Sequence, residues 1–419
     1  MAEWQSVIRK RDFPMIAQGT CEGKSMIYLD SAATTQCARP VLWALEDYWQ
    51  HQHAAVNRGV YCLGSRATAA MEETRQFTAE FLGASPEEIV FTSGATDGLN
   101  LLANAFAMGE LKPGELVLAT EMEHNSNLLP WLEACRRTGA QLELVKLTEA
   151  GTLDREDLCR KLERKPRLLA VTAVSNVLGT VNPLEEIIPL AHAAGAAVAV
   201  DAAQAMRHEL PDVRTLDCDF LVFSAHKLMG PTGVGVLYGK EAWLDRLRPG
   251  RFGGGMLREL RLPEAEYEQG RYKFEAGTPN LSGIAGLGAA LEYLQAVGRR
   301  RIAAYERELL HHAEKRLSAV GGVRILGAPE KRAGALSFVM EPLQAYDVAV
   351  LLDKKGFALR SGRHCADALH ARLGLSGSVR LSPAFYNSKA EIDALAEALE
   401  EIAQVSRKAG IPVGEKAHG

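Results

Sequence analysis

The sequence predicts an α/β fold in which a large domain, built on a mainly parallel seven-stranded sheet covered by helices, precedes a smaller α+β domain. Three observations carry this expectation. Between about Ile27 and Gly239, seven short apolar runs alternate with helical patterns. Most of these runs are apolar on successive positions, so both faces of each strand are covered, as in a parallel sheet between helix layers. Beyond Gly298 the texture changes to a long charged helix followed by short strands. A chain of 419 residues is also too long for one small core.

In order, the runs are "EIVFT", "ELVLAT", "QLELVKL", "RLLAVTAV", "AAVAVD", "FLVFS" and "GVGVLYG". Amphipathic stretches lie between them, among them "DGLNLLANAFAMG" and "NLLPWLEACRRTG", the second closed by a basic last turn and a glycine. After "LSGIAGLGAALEYLQAVG" come the helix "RRRIAAYERELLHHAEKRLSAVGG", the strand "GALSFVM", a helix near "AYDVAVLLDKKG", the strands "FALRSG" and "SVRLSPAFYN", and a last helix ending near "AQVSRKAG". The expected division is a cofactor-binding domain over 26–297, a small domain from 1–25 and 298–410, and a tail over 411–419.

Composition narrows the function classes. Apolar residues at 47%, charged residues at 24% and a net charge of −4 are ordinary globular values and offer no electrostatic reason to bind nucleic acid or an anionic membrane. Seven scattered cysteines, with no CxxC pair and no zinc-like Cys/His spacing, argue against a disulfide framework and a metal site and for a reducing cytoplasm. The start, "MAEWQSVIRKRDFPM", lacks the apolar core of a signal peptide, and "AHAAGAAVAVDAAQAM" is broken by Asp201 and too weakly apolar to span a bilayer.

Ligands of an open parallel sheet sit beyond the carboxyl ends of its strands, and here those ends carry chemistry. "FTSGATDG" offers backbone N–H groups at Ala95 and Thr96 and the Thr96 hydroxyl to a phosphate, although Ser-Gly-Ala-Thr is equally good turn and cap chemistry. "TEMEHNSN" supplies His124, which taken alone reads as a helix cap. "AVAVDAAQ" presents Asp201, and "FSAHKLMGPTG" presents Ser224, His226 and Lys227. An aspartate for a pyridinium nitrogen, a lysine able to form a Schiff base and a phosphate cup at a helix start are the parts that pyridoxal phosphate requires. A further stretch, "FALRSGRHCADALH", sets Cys365 among Arg360, Arg363 and His364, cations that would favour a thiolate.

The stretches "YLDSAATTQ", "FTSGATDGLN", "MEHNSNLLPW", "SNVLGTVNPL", "VDAAQAMRH", "FSAHKLMGPTGVGVLYG", "RFGGGM", "KFEAGTPN" and "RSGRHCA" together resemble the class V, fold-type I pyridoxal-phosphate enzymes, in particular the cysteine desulfurase and selenocysteine lyase group, over nearly the full length. The resemblance implies that Lys227 holds the cofactor and that Ala95, Thr96, Ser224 and His226 hold its phosphate. Asp201 would pair with the ring nitrogen, Gln204 would reach the ring hydroxyl, and His124 would stack on the ring and move protons. Asn176 and Arg380 would join Arg360 around the substrate carboxylate, and Thr278 would reach the phosphate of a neighbouring subunit in a homodimer. The implied reaction converts L-cysteine to L-alanine, with sulfur taken as a persulfide on Cys365 for an acceptor protein, in a role such as iron–sulfur cluster assembly; selenocysteine and cysteine sulfinate are further candidate substrates. Arg363, Asn57 and Tyr61 stand where relatives often carry histidines, which leaves substrate preference open. A C–S lyase or transaminase without persulfide chemistry is the alternative on the same scaffold.

Overall fold

The computed structural model describes residues 9–57, 59–208 and 212–414; the ends of the two terminal segments, 1–8 and 415–419, lie outside the described residues. The seven expected runs form one sheet: β1 (Ile89–Thr92), β2 (Leu116–Thr120), β3 (Gln141–Val145), β4 (Leu168–Thr172), β5 (Ala197–Asp201), β6 (Phe220–Ser224) and β7 (Gly235–Gly239). Their order is β1-β7-β6-β5-β4-β2-β3. The pairs from β6 to β3 are parallel, and β7 runs antiparallel to both its neighbours.

Successive apolar residues serve two different cores. Phe91, Leu118, Val171, Val200 and Phe223 pack on one face of the sheet, whereas Val90, Val117, Ala170, Ala199 and Val222 pack on the other. Strand side chains alternate between faces, so a sheet covered on both sides needs the unbroken apolar runs seen in the sequence. Gly235 of β7 has a specific reason to be glycine: a Cβ there would stand 2.5 Å from Gly94 Cα and 2.6 Å from the Phe223 carbonyl oxygen. The Gly94 turn, which opens the helix Ala95–Ala107, is thereby held against the ends of β6 and β7.

The C-terminal part carries an antiparallel sheet of β8 (Val323–Ile325), β9 (Leu336–Met340), β10 (Arg360–Gly362) and β11 (Ser378–Leu381), in the order β8-β9-β11-β10. The helices Arg299–Ser318 and Lys389–Lys408 pack together beside it. Two expectations are corrected here. "FALRSG" is not one strand: Phe357–Ala358 pairs in parallel with Ile27–Tyr28, and the chain then turns at Leu359 so that Arg360–Gly362 joins β11. The strand in "SVRLSPAFYN" stops at Leu381, just before Pro383, which has no N–H for a ladder. A hairpin of Leu257–Arg261 and Glu264–Tyr267 was not expected, because its residues are charged and mostly exposed.

A buried ion pair ties the two parts together near the site. Arg207 Nε donates to both oxygens of Glu306 at 3.1 Å, Arg207 also donates to the Lys227 carbonyl at 3.2 Å, and Glu306 accepts the Phe385 N–H at 2.9 Å. Both side chains are essentially inaccessible. Among the described residues every cysteine is free, and no helix is long and apolar enough to cross a membrane.

Candidate active site

The carboxyl ends of β1, β2, β4, β5 and β6 meet β10 and β11 around a cavity of about 180 Å³. Ala95, Thr96, His124, Asn176, Asp201 and Ser224 line it, and so do His226, Lys227, Arg360, Cys365 and Arg380. A second hollow of about 440 Å³ shares Thr96, Ser224 and His226 with the first and extends over Gly94, Asn100 and Gly233. Two expected residues do not line the cavity. Gln204 is buried but donates to the Ala32 carbonyl at 2.7 Å, and Thr278 is exposed.

Lys227 follows β6 in a single tight turn. Thr35 braces this turn from both sides, its N–H donating to the His226 carbonyl at 2.8 Å and its hydroxyl accepting the Met229 N–H at 2.7 Å. Burial lowers the pKa of the Lys227 ammonium; Asp201 opposes that shift, and Arg380 and Arg360 add to it. The lysine is thus biased toward the amine that carbonyl chemistry needs. Asp201 ends β5 and accepts the Ala203 N–H at 2.9 Å. Burial raises its pKa, and the nearby lysine pulls it back toward the charged form.

The anion-binding end differs from expectation in one respect. The Ala95 N–H is not free: it donates to Ser224 Oγ at 2.7 Å. The hydroxyl proton of Ser224 is therefore what this pair can offer a phosphate, alongside the first-turn N–H of Thr96, which has no partner within its helix. Thr96 Oγ1 is bonded to Ser126 Oγ at 2.7 Å. His226 Nδ1 is buried with no partner among the described residues. Donors at one end, a buried carboxylate and a buried lysine together fit pyridoxal phosphate.

His124 caps a short 3-10 turn, Asn125–Asn127, and its Nδ1 accepts the Ser126 N–H at 3.1 Å, so its proton sits on Nε2. Burial, followed by the fields of Lys227, Arg380 and Arg360, pushes its pKa down to about 3, and the ring is neutral at physiological pH. On the opposite wall, Arg380 donates to Asp30 at 2.8 Å and to the Asn176 carbonyl at 3.2 Å, while its Nε is buried and unpartnered among the described residues. The Asn176 side chain is partly engaged already, donating to the His364 carbonyl at 2.8 Å.

Cys365 is exposed on the cavity wall, and both it and His364 adopt φ of 53°. Two adjacent non-glycine residues in the left-handed region are costly and must be held from outside. The Asn125 N–H grips the Cys365 carbonyl at 2.6 Å, and Asn176 grips that of His364. The expectation that Arg363 and His364 stand as cations beside the thiol is corrected. Arg363 pairs with Asp367 at 3.1 Å on the exposed side of the loop, and burial keeps His364 neutral, its pKa pushed down to about 2. Arg360 remains as the cation of that group on the cavity wall.

Sequence reasoning missed three contributors. Asp30, inside the quoted "YLDSAATTQ", orients Arg380. Asp367 receives Asn125 Nδ2 at 2.8 Å and so latches the His124 turn to the Cys365 loop. Glu123 is fully buried and accepts bonds from the Thr120 hydroxyl at 2.6 Å, Asn127 at 2.7 Å and the Thr172 N–H at 3.0 Å, bridging the ends of β2 and β4 beneath His124. Burial pushes its pKa up to about 8 against those three donors. The signal for Glu123 was a carboxylate three residues past the end of an apolar strand, where a solvated turn residue is the ordinary reading.

Known proteins resemble this chain along almost its whole length. The sequence model of the family described as aminotransferase class-V matches residues 27–395. Cysteine desulfurases of Escherichia coli O9:H4 (strain HS) and Shigella sonnei (strain Ss046) are each 45% identical over 395 residues, covering 94% of this chain and 97% of theirs. The apo structure of the cysteine desulfurase from Thermococcus onnurineus NA1 superposes with a TM-score of 0.90 at 36% identity, covering 96% of this chain and 98% of that one. The cysteine desulfurase CsdA from Escherichia coli superposes with a TM-score of 0.87 at 35% identity, covering 96% and 99%. Matched by this family model and by these relatives over almost its whole length, the chain belongs to the aminotransferase class-V family, in its cysteine desulfurase group.

Proposed function

We propose that this cavity converts L-cysteine to L-alanine, with the sulfur taken as a persulfide by Cys365 and passed to an acceptor. The observation that carries this reading is the sharing of one cavity by Lys227, Asp201, two arginines and an exposed free thiol.

The cofactor is pyridoxal phosphate, which when bound supplies an electron sink for the bond changes at the amino acid's carbons. Lys227 would hold it, Asp201 would keep its ring nitrogen protonated, and Ser224, Thr96 and His226 would hold its phosphate. Arg380, oriented by Asp30, and Arg360 would bind the substrate carboxylate, a planar fork matching a planar anion. His124 would lie against the cofactor with Nε2–H as its donor, and the Lys227 amine would take and return a proton. The Cys365 thiolate attacks the substrate's sulfur: an S–S bond forms as the carbon–sulfur bond breaks, and the electron pair of the broken bond stays with the β-carbon, which is protonated to give alanine.

Further parts of this reading are a homodimer in which Thr278 reaches the neighbouring subunit's site, a cytoplasmic location, an acceptor protein for the sulfur, and a cofactor-binding unit over 26–297 beside a smaller unit that brings the Cys365 loop. Incubating the cofactor-loaded protein with L-cysteine tests the reaction itself. Alanine and persulfide or sulfide support it, whereas pyruvate and ammonia mean elimination.

A further inference from the structure

His364 adjoins Cys365, is 5% exposed and lines the same cavity. Its Nε2 lies 3.1 Å from the Ser378 carbonyl oxygen and 3.1 Å from Ser378 Oγ. A carbonyl oxygen only accepts, so Nε2 carries the proton and Nδ1 of the neutral ring is a bare acceptor. The next layer agrees. His370 Nδ1 donates to the Ala366 carbonyl at 3.0 Å, which leaves His370 Nε2 to accept the Ser378 hydroxyl proton at 3.1 Å and the hydroxyl oxygen to accept from His364. His364 Nδ1 is buried and has no partner among the described residues. Burial, together with the fields of Arg380, His370 and Arg360, keeps that nitrogen unprotonated.

A buried acceptor without a donor is costly, so this nitrogen implies a ligand that brings a proton to it. The rest of the wall is rich in donors suited to anions: Lys227, Arg360, Arg380, Thr96 and Ser224. A bound L-cysteine brings two donors, its amino group, which would go to the cofactor, and its thiol, which is left to turn toward His364. We propose that Nδ1 of His364 accepts a hydrogen bond from the substrate's S–H and holds the sulfur, still protonated, in front of Cys365. This rests on the desulfurase reading and adds a substrate-binding residue to it. The proton has a chemical purpose. Arginines favour a thiolate on any sulfur near them, and two thiolates would repel each other. An acceptor that does not take the proton leaves the substrate's sulfur neutral. The thiolate then attacks a thiol, the carbon–sulfur bond breaks toward carbon, and the proton stays on the outer sulfur of the persulfide.

The test uses cofactor-loaded protein carrying Cys365→Ser, which stops sulfur removal, and follows the visible absorbance of the cofactor as L-cysteine or L-alanine is added. His364→Gln keeps a donor for Ser378 but loses the acceptor at the Nδ1 position; His364→Asn keeps an acceptor there and tolerates the left-handed backbone. The glutamine variant should weaken L-cysteine about threefold to tenfold, the range of one modest hydrogen bond, and L-alanine by less than about twofold, with the asparagine variant restoring L-cysteine. Equal weakening of both ligands, or no change in either, would overturn the proposal. If the glutamine variant does not fold, L-serine against L-alanine on the intact His364 ring decides: tighter serine binding supports the hydrogen bond, and equal binding overturns it. Failure of the desulfurase reading looks different, since cofactor-loaded protein with Cys365 and His364 intact would then give pyruvate and ammonia from L-cysteine in place of alanine.

Discussion

Arg360 and Arg380 face each other as direct Cα partners across the antiparallel pair β10 and β11. Residues opposite each other in such a pair project on the same side of the sheet, where like charges repel. Asp30 compensates one of them, at 2.8 Å from Arg380. The remaining positive charge borders the cavity, where a substrate carboxylate would match it, so the ladder register itself sets up the proposed binding site. Arg380→Lys and Arg360→Lys should each lower kcat/KM for L-cysteine by about tenfold or more, the equivalent of losing roughly 1.4 kcal/mol of bidentate contact, with cofactor absorbance unchanged. Wild-type kinetics in both variants would place the carboxylate elsewhere.

Lys227 has the reverse signature. Lys227→Ala should abolish turnover and the visible band of the covalently held cofactor, while the phosphate contacts proposed for Ser224 and His226 should retain some cofactor noncovalently. An unaltered absorbance spectrum would require another lysine.

The pair Arg207 and Glu306 links the Lys227 turn to the C-terminal part. Removing Arg207 leaves buried Glu306 with only the His208 ring at 3.3 Å and the Phe385 N–H beside it, so Arg207→Met should cost about 3–5 kcal/mol of stability, read as a lowered urea midpoint. Restoration toward wild type in the double variant Arg207→Met/Glu306→Leu would separate the charge effect from lost packing. Equal midpoints for Arg207→Met and wild type would contradict the assignment.

Acid should destabilise the fold through its buried histidines. Burial, aided by Lys227 at the first two, holds His124 at about 3 and His226 at about 4, and burial with Arg380 holds His364 at about 2. These values lie below those of the unfolded chain, so the unfolded state binds more protons once the pH falls below about 6.5, and stability drops as pH decreases. The loss approaches at most about 1.4 kcal/mol per pH unit for each ring until its folded pKa is reached. Burial raises the carboxyls Glu123, Asp201 and Glu306, which work in the opposite direction, so the rings themselves are the direct reading: histidine NMR signals of His124, His226 and His364 that titrate between pH 7 and pH 5 would count against neutral rings.

Thr278 is exposed in a single chain, as a residue serving a neighbouring subunit's site must be. The protein should sediment as a dimer, and Thr278→Ala should weaken cofactor affinity about tenfold, one charge-assisted hydrogen bond being worth roughly 1.5 kcal/mol or more. A fully active monomer in dilute solution would rule out the shared site.

Much of the frame was legible because its signals are local. Unbroken apolar runs such as "FLVFS" specify strands covered on both faces, and Asp201 and the Ser224–Lys227 turn end two of those strands where ligands of such sheets lie. What escaped depends on register and burial. Nothing in "FALRSG" says that the chain changes sheets at Leu359 or that Arg360 will stand opposite Arg380. Nor does a row of cations around Cys365 reveal that Arg363 turns outward to Asp367 while His364 turns inward to Ser378. The Ala95 N–H read as free until the end of β6 brought Ser224 against it across 129 positions.

The central claim is that Cys365 takes the sulfur while Lys227 and Asp201 serve the cofactor's part of the reaction. The most direct measurement mixes cofactor-loaded Cys365→Ser and wild-type protein, separately, with L-cysteine and follows absorbance, released alanine and the intact mass of the chain. Serine is a poor nucleophile toward sulfur, so the variant should bind cofactor normally and still change its spectrum with L-cysteine. It should release almost no alanine and gain no sulfur atom, while the wild-type chain gains one at Cys365. Alanine released by the serine variant at the wild-type rate and yield would contradict the persulfide mechanism.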